Sequence, residues 1–347
     1  DWLSVIGIAR EVAALTGNPL RLPEVASGRA LPQVDVAPGR ALPQSDLVTV
    51  EAPDLCPRYT ARLITGVKIG PSPAWLRGAL EKVGMRSINN VVDVTNYVLL
   101  ECGHPLHAFD YRRLHGGKIT VRRARAGERF VALDDSAHEL SAEMLVIADA
   151  DRAVALAGIM GGKESEINAA TVDVLLESAW FQPGNVRQTS KRTGLASESS
   201  YRFERGADIG GVVWASDRAA QLIREVAGGE AGPVVDVCAQ PVTRRRVRCR
   251  YGQVNRVLGV DVPPAEVRRI FVSLGLVVVG EDASGLEVEA PTFRVDLERE
   301  ADLIEEVCRI YGVEKIAARM QPARPAVSAF DERWDRLMEL RRQLTAL

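Results

Sequence analysis

Along the first stretch of the chain, apolar side chains fall on one side of a helical wheel. Ile6, Ala9, Val12 and Ala13 share a stripe over residues 3–16, and Gly17 supplies a stop, so a helix is predicted. From 18 to 52 this periodicity gives way to a tract rich in Pro, Ala and Gly. Within it GRALPQ at Gly28–Gln33 recurs at Gly39–Gln44. So short a duplication reads as linker, because a solenoid needs longer and more numerous units. Alternation of apolar and polar positions over 58–69 predicts a strand. Ser72 and Pro73 read as the N-cap and first residue of a helix that runs to Val83 and stops at Gly84. Segment 90–101 is ambiguous: its valines favour a strand, whereas Asn89 or Asn90 can cap a helix ending before Gly103. Between 118 and 180, short Val/Ile-rich runs are parted by turn clusters such as Asp134-Asp135-Ser136 and Asp149-Ala150-Asp151, the pattern of a many-stranded sheet. Helical spacing returns over 211–226 and stops at Gly228-Gly229.

The next pattern defines a smaller unit, 239–316. It reads as strand (245–250), helix (251–258), helix (263–274), hairpin (275–290) and helix (299–311), with Asp282-Ala283-Ser284-Gly285 as the hairpin turn. Helices followed by a hairpin suggest a winged-helix-like module. A second Pro/Ala linker covers 317–329, and 330–347 begin another helix. The fold class expected is mixed α/β (α+β) and multidomain. Its parts are the closing helix of a preceding domain (1–17), a linker (18–52), a mixed-sheet domain (53–238), the winged-helix-like domain (239–316), a linker (317–329) and the start of a further domain (330–347). Both ends fall inside amphipathic segments, as expected of a piece of a longer protein.

Composition narrows the classes of function. With 46% apolar and 26% charged residues, the chain has the make-up of a soluble globular protein. A formal net charge of −2 gives no global attraction for nucleic acid, so any such contact needs local basic patches. The five cysteines are scattered, with no Cys-x-x-Cys pair, which argues against a disulfide framework or thiolate zinc site and fits a reducing cytosol. No apolar run reaches the ~18 residues that span a bilayer. There is no Gly-x-Ser-x-Gly elbow and no cysteine in a nucleophile-like context.

Several blocks are unusual as a set: NNVVDVTNYVLLECGHPLHAFD (Asn89–Asp110), GIMGGKESEI (Gly158–Ile167), LLESAW (Leu175–Trp180) and SESSYRFERG (Ser197–Gly206). From the residues alone, His107 can be a structural histidine, Glu177 the solvated end of a strand, and Thr95 and Asn96 points on a helix surface. In their order and spacing, however, the blocks closely resemble the β subunit of bacterial phenylalanyl-tRNA synthetase, and the resemblance covers nearly the whole chain. It favours helix for 90–101 and implies that 53–238 is the subunit's editing domain. The resemblance further implies a pocket lined by Thr95, Asn96, His107, Gly158, Glu177, Ser197 and Ser199. Thr95, Asn96 and His107 would hold the ester, the terminal adenosine or the attacking water. Glu177 would accept a bond from a tyrosine hydroxyl. Ser199 stands where several relatives carry a small apolar residue, so it adds a hydroxyl.

Three charged groups complete the inventory. Asp302, Glu305 and Glu306 have i, i+3, i+4 spacing on one predicted helix face, with Asp296 just upstream. Alone, this reads as a solvated acidic face; the resemblance implies a Mg²⁺ site on these four carboxylates, shared with the α subunit. Arg244, Arg246, Arg248 and Arg250 alternate along a strand, as a phosphate-contacting edge or an edge guarded by charge against aggregation. Arg187, Lys191, Arg192, Arg202 and Arg205 flank the pocket blocks and are candidates for guiding a tRNA end. The function implied is a segment of a cytoplasmic α₂β₂ phenylalanine–tRNA ligase. The parent charges tRNA(Phe) with phenylalanine, ATP being a substrate of the parent that is not bound here. The segment itself would remove tyrosine from mischarged tRNA(Phe), and no membrane is expected among its partners. The alternatives are a free-standing aminoacyl-tRNA deacylase and a non-enzymatic nucleic-acid-binding module.

Overall fold

The structure is a computed structural model that describes residues 2–25, 47–317 and 332–346. The GRALPQ repeat and nearly all of the 317–329 linker lie outside the described residues. Helix α1 (Val5–Thr16) is capped by Ser4, whose hydroxyl accepts from the Gly7 N–H, and it ends on Gly17 in the left-handed conformation. The alternating pattern that follows builds strands β1 (Val48–Val50) and β2 (Arg58–Thr65). Helix α2 (Ala74–Lys82) begins one residue later than expected. Pro73 sits at the cap without a side-chain bond, because the Ser72 hydroxyl donates to the Asp93 carboxylate instead. The ambiguous valine-rich segment is helix α3 (Asn90–Cys102). Asn89 caps it by accepting from the Val91 and Val92 amides, and Gly103 ends it at φ 80°.

The Val/Ile-rich runs form strands β3 (Leu106–Asp110), β4 (Ile119–Arg123), β5 (Glu128–Val131), β6 (Ala137–Leu140), β7 (Leu145–Ala148), β8 (Ala153–Leu156), β9 (Met160–Gly161) and β10 (Val174–Trp180). After them come helices α4 (Pro183–Thr193), α5 (Glu198–Phe203) and α6 (Val212–Ala227), then strand β11 (Glu230–Cys238). One sheet has the order β1-β4-β7-β8-β9 and is mixed, since β1 runs parallel to β4. A second, antiparallel sheet has the order β11-β2-β10-β3.

Strand alternation decides what each face of the second sheet buries. Ile64, Leu106, Ala108, Val174 and Leu176 join α3 and α6 in one core. Tyr59, Ala61, Phe109, Leu175 and Ala179 point the other way and pack with Ile119, Val121, Ile147 and Leu156 of the first sheet. The period of two therefore also sends His107 and Glu177 towards that inter-sheet core, although neither is apolar.

The smaller unit follows the expected order: strand β12 (Arg246–Arg250), helices α7 (Tyr251–Leu258) and α8 (Pro264–Ser273), strands β13 (Val277–Asp282) and β14 (Gly285–Glu289), and helix α9 (Glu300–Tyr311). Its sheet runs β12-β14-β13, so β12 is an edge. Ala14 of α1 is buried in this unit's core, the Leu3 carbonyl accepts from Arg202, and Glu11 pairs with Arg309. Helix α10 (Glu332–Thr345) buries none of its residues.

Candidate functional site

A cavity of about 390 Å³ opens at the β3 edge of the four-stranded sheet, where the two sheets part. Thr95 and Asn96 reach it from α3, His107 from β3, Glu177 from β10, Gly158 from the β8–β9 turn, and Ser197 and Ser199 from the start of α5. All seven residues singled out by the blocks thus line one cavity, although they span more than a hundred positions of sequence. Ile88, Val92, Pro105, Leu133, Ile159 and Phe203 supply much of its apolar wall.

Non-local strand pairing produces the polar end. Glu177 lies in register with His107 on one side and with Ala61 on the other. Glu177 is 6% exposed, and the Tyr59 phenol donates to its Oε2 at 2.8 Å. Burial pushes its carboxyl up to about 8 despite that bond, which favours the charged form. His107 is half-buried, with its ring facing the cavity, and desolvation lowers its pKa to about 4. It is therefore neutral at pH 7. Its ring packs edge-on to Phe109 at 4.5 Å between centroids and covers Gly161. A Cβ on Gly161 would stand 2.5 Å from the imidazole, so this glycine is part of the histidine's seat.

The remaining members divide their duties. The Ser197 hydroxyl is the N-cap of α5: it accepts from the Ser200 N–H and donates to the Ile159 carbonyl at 2.6 Å, tying the helix to the β8–β9 turn. The Thr95 hydroxyl donates within its own helix to the Val92 carbonyl. Gly158 sits at φ 71°, and a Cβ there would lie 2.9 Å from both Phe181 and Phe203, so this position admits close approach of two rings. Tyr59 was not singled out from sequence, and Gly161 entered only as part of the GIMGGKESEI block. Alternation along 58–65 could have put Tyr59 on the core face, but its carboxyl partner depends on which strand lies alongside.

The acidic set is arranged differently. The Arg294 guanidinium, 8% exposed, grips Asp296 at 2.9 and 2.6 Å and Glu306 at 2.9 Å. Arg309 holds Glu306 from the other side and pairs with Glu11 of α1. Asp302 turns back to accept from the Glu298 and Arg299 amides at the start of its own helix. Glu305 is exposed. The set does not fit a metal ion as it stands, because Asp296, Glu306 and Asp302 already accept from arginines or backbone amides. No group of three or more His, Cys, Asp or Glu side chains among the described residues is placed to hold one.

The basic candidates are also largely matched. Arg246, Arg248 and Arg250 on edge strand β12 pair with Glu289, Asp282 and Glu300. Arg192 pairs with Glu143, Arg202 with Glu198, and Arg205 with Glu204. Arg187 donates to the Glu204 carbonyl, and Lys191 is exposed. No helix among the described residues is long and apolar enough to cross a membrane.

Residues 55–228, which contain the entire cavity, match the B3/4 domain family, and residues 247–313 match the tRNA synthetase B5 domain. This pairing defines a component of an aminoacyl-tRNA synthetase. Over 345 residues, 99% of this chain and 42% of the relative, it is 51% identical to the phenylalanine–tRNA ligase beta subunit of Geobacter metallireducens. The subunit from Geobacter sulfurreducens is 52% identical over 93% of this chain and 40% of its own length, and that from Rhodopirellula baltica 45% identical over 100% and 50%. The chain belongs to the phenylalanine–tRNA ligase β-subunit family, and it spans about two fifths of the length of the first two of these relatives.

Proposed function

We propose that the cavity is an editing site, which hydrolyses the ester that links tyrosine to tRNA(Phe). The observation that carries this reading is the convergence of the seven expected residues on one cavity whose apolar wall ends in a buried carboxyl group. A synthetic pocket shaped for phenylalanine rejects an analogue with one added hydroxyl by only ~10²-fold. Here the ring of a tyrosyl group would lie against Val92, Ile159 and Phe203, with its hydroxyl at Glu177. A phenylalanyl group would bury the same ring but leave the carboxyl without its ligand partner, which costs binding.

Hydrolysis is direct. Water adds to the ester carbonyl, the bond to the ribose oxygen breaks, the tyrosine leaves as a carboxylate, and the ribose oxygen takes up a proton. A histidine with a pKa of about 4 is a weak base at neutral pH. His107 therefore orients water or the ester through its ring nitrogens, and Thr95 and Asn96 hold the nucleotide end. The whole protein, in this reading, is the β subunit of a cytoplasmic α₂β₂ ligase that charges tRNA(Phe) using ATP. The α subunit and tRNA(Phe) are its partners.

The test is release of amino acid from tyrosyl- and phenylalanyl-tRNA(Phe), by this chain and by the full-length subunit with its α partner. Glu177→Ala and His107→Ala are assayed alongside. Tyrosine-selective release that loses its selectivity in Glu177→Ala supports the editing site. Equal release of both amino acids, or release of neither by the full enzyme, refutes it.

A further inference from the structure

The group at this site that the proposed chemistry leaves without a role is Tyr59. It is fully buried on β2, on the face that packs between the sheets, two residues along from the position paired with Glu177. Its phenol donates to Oε2 of Glu177, whereas Oε1 has no hydrogen-bond partner among the described residues. Tyr59 does not itself line the cavity. A carboxyl group can turn about its terminal torsion unless something fixes it, and here one donor fixes one oxygen.

We propose that Tyr59 is a positioning residue for ligand selection: its phenol anchors one oxygen of Glu177, so that the other faces the cavity as the acceptor for a para-hydroxyl on an aromatic ligand. This rests on the editing reading and sharpens it. The selected ligand completes a carboxyl group held between two phenols, one from the protein and one from the substrate. A ring without the hydroxyl leaves the second place unfilled. The same bond supports the charged form of a carboxyl that burial opposes, so it also sets the pH range in which Glu177 can accept.

Tyr59→Phe, which removes the donor and keeps the ring, tests this in the full-length enzyme. The tyrosine-over-phenylalanine ratio of release is expected to fall by ~10-fold, as for loss of a hydrogen bond to a charged group. The titration of Glu177, followed by carbon NMR of its carboxyl, is expected to move above its wild-type midpoint. A filler that merely satisfies a buried acid would alter the melting temperature and the Glu177 titration but leave the ratio unchanged. An unchanged ratio in folded Tyr59→Phe therefore overturns the proposal, whether or not the titration moves. If that variant does not fold, 3-fluorotyrosine at position 59, a stronger donor, is expected to move the Glu177 titration down; no movement overturns the proposal equally. A wild-type enzyme without tyrosine preference refutes the editing reading, whereas a selective wild type with an indifferent Tyr59→Phe refutes only this inference.

Discussion

The cavity between the sheets and the acidic start of α9 both gather charged or polar side chains, yet they treat them in opposite ways. Around α9, positive partners and amides already meet the carboxylates: Arg294 spans Asp296 and Glu306, Arg309 spans Glu306 and Glu11, and Asp302 caps its own helix. In the cavity, Glu177 keeps one oxygen without a protein partner, and no hydrogen bond between described residues uses the His107 ring. Fully satisfied ion networks hold elements together; unsatisfied polar groups beside an apolar wall wait for a ligand. The network joins α1, the segment after the hairpin and α9, so its position suits a joint. The cavity opens beside a closely packed apolar core, which is costly unless something occupies it.

The largest effect is expected where the joint is cut. Arg294→Met leaves the buried Glu306 and the half-exposed Asp296 short of charge, and should destabilise the protein by about 3–5 kcal/mol in urea unfolding. A loss below 1 kcal/mol would show that the network is not structural and would break the contrast. Next comes pH. The Glu177 carboxyl titrates near 8 when folded and near 4.5 when unfolded, so the unfolded chain releases that proton first. Its contribution to stability is therefore lost as pH rises from 4.5 towards 8. Unfolding measured at pH 5 and pH 8 should show Glu177→Gln gaining on wild type by a few kcal/mol across that range, and a parallel pair of curves would place Glu177 in water.

His104 and His107 act in the reverse sense. Both are lowered to about 4 by desolvation, so stability falls as pH drops from 6.5 towards 4. Gly158→Ala should cost about 1–2 kcal/mol through its positive φ, and it should reduce tyrosine release by displacing Phe181 and Phe203. Wild-type deacylation in that variant would mean the rings have room to move. The smallest expected effect is none: millimolar Mg²⁺ should leave the melting temperature of this chain unchanged, because Arg294 and Arg309 already neutralise the acids. A clear rise would erase the difference between the two regions.

Much of the local structure was legible in the residues. The valine-rich segment 90–101 could not be settled by propensity; the Asn89 cap and Gly103 stop decide it as α3. The Ser72-Pro73 cap was misplaced because Asp93, twenty-one residues on, captures the serine hydroxyl, and no local rule sees that. The seven cavity residues were named from the resemblance of whole blocks rather than from any spacing.

By itself the sequence determined the period-two runs, the helix stops and the family of blocks, since these depend on neighbours a few residues away. Only the tertiary structure decided that β10 lies between β2 and β3, and hence that Glu177 meets His107 on one side and Tyr59 on the other. Likewise it decided that Arg294 sits between Asp296 and Glu306. Strand neighbours and buried ion partners are set by which distant surfaces exclude water together, and that choice is made by the whole chain at once.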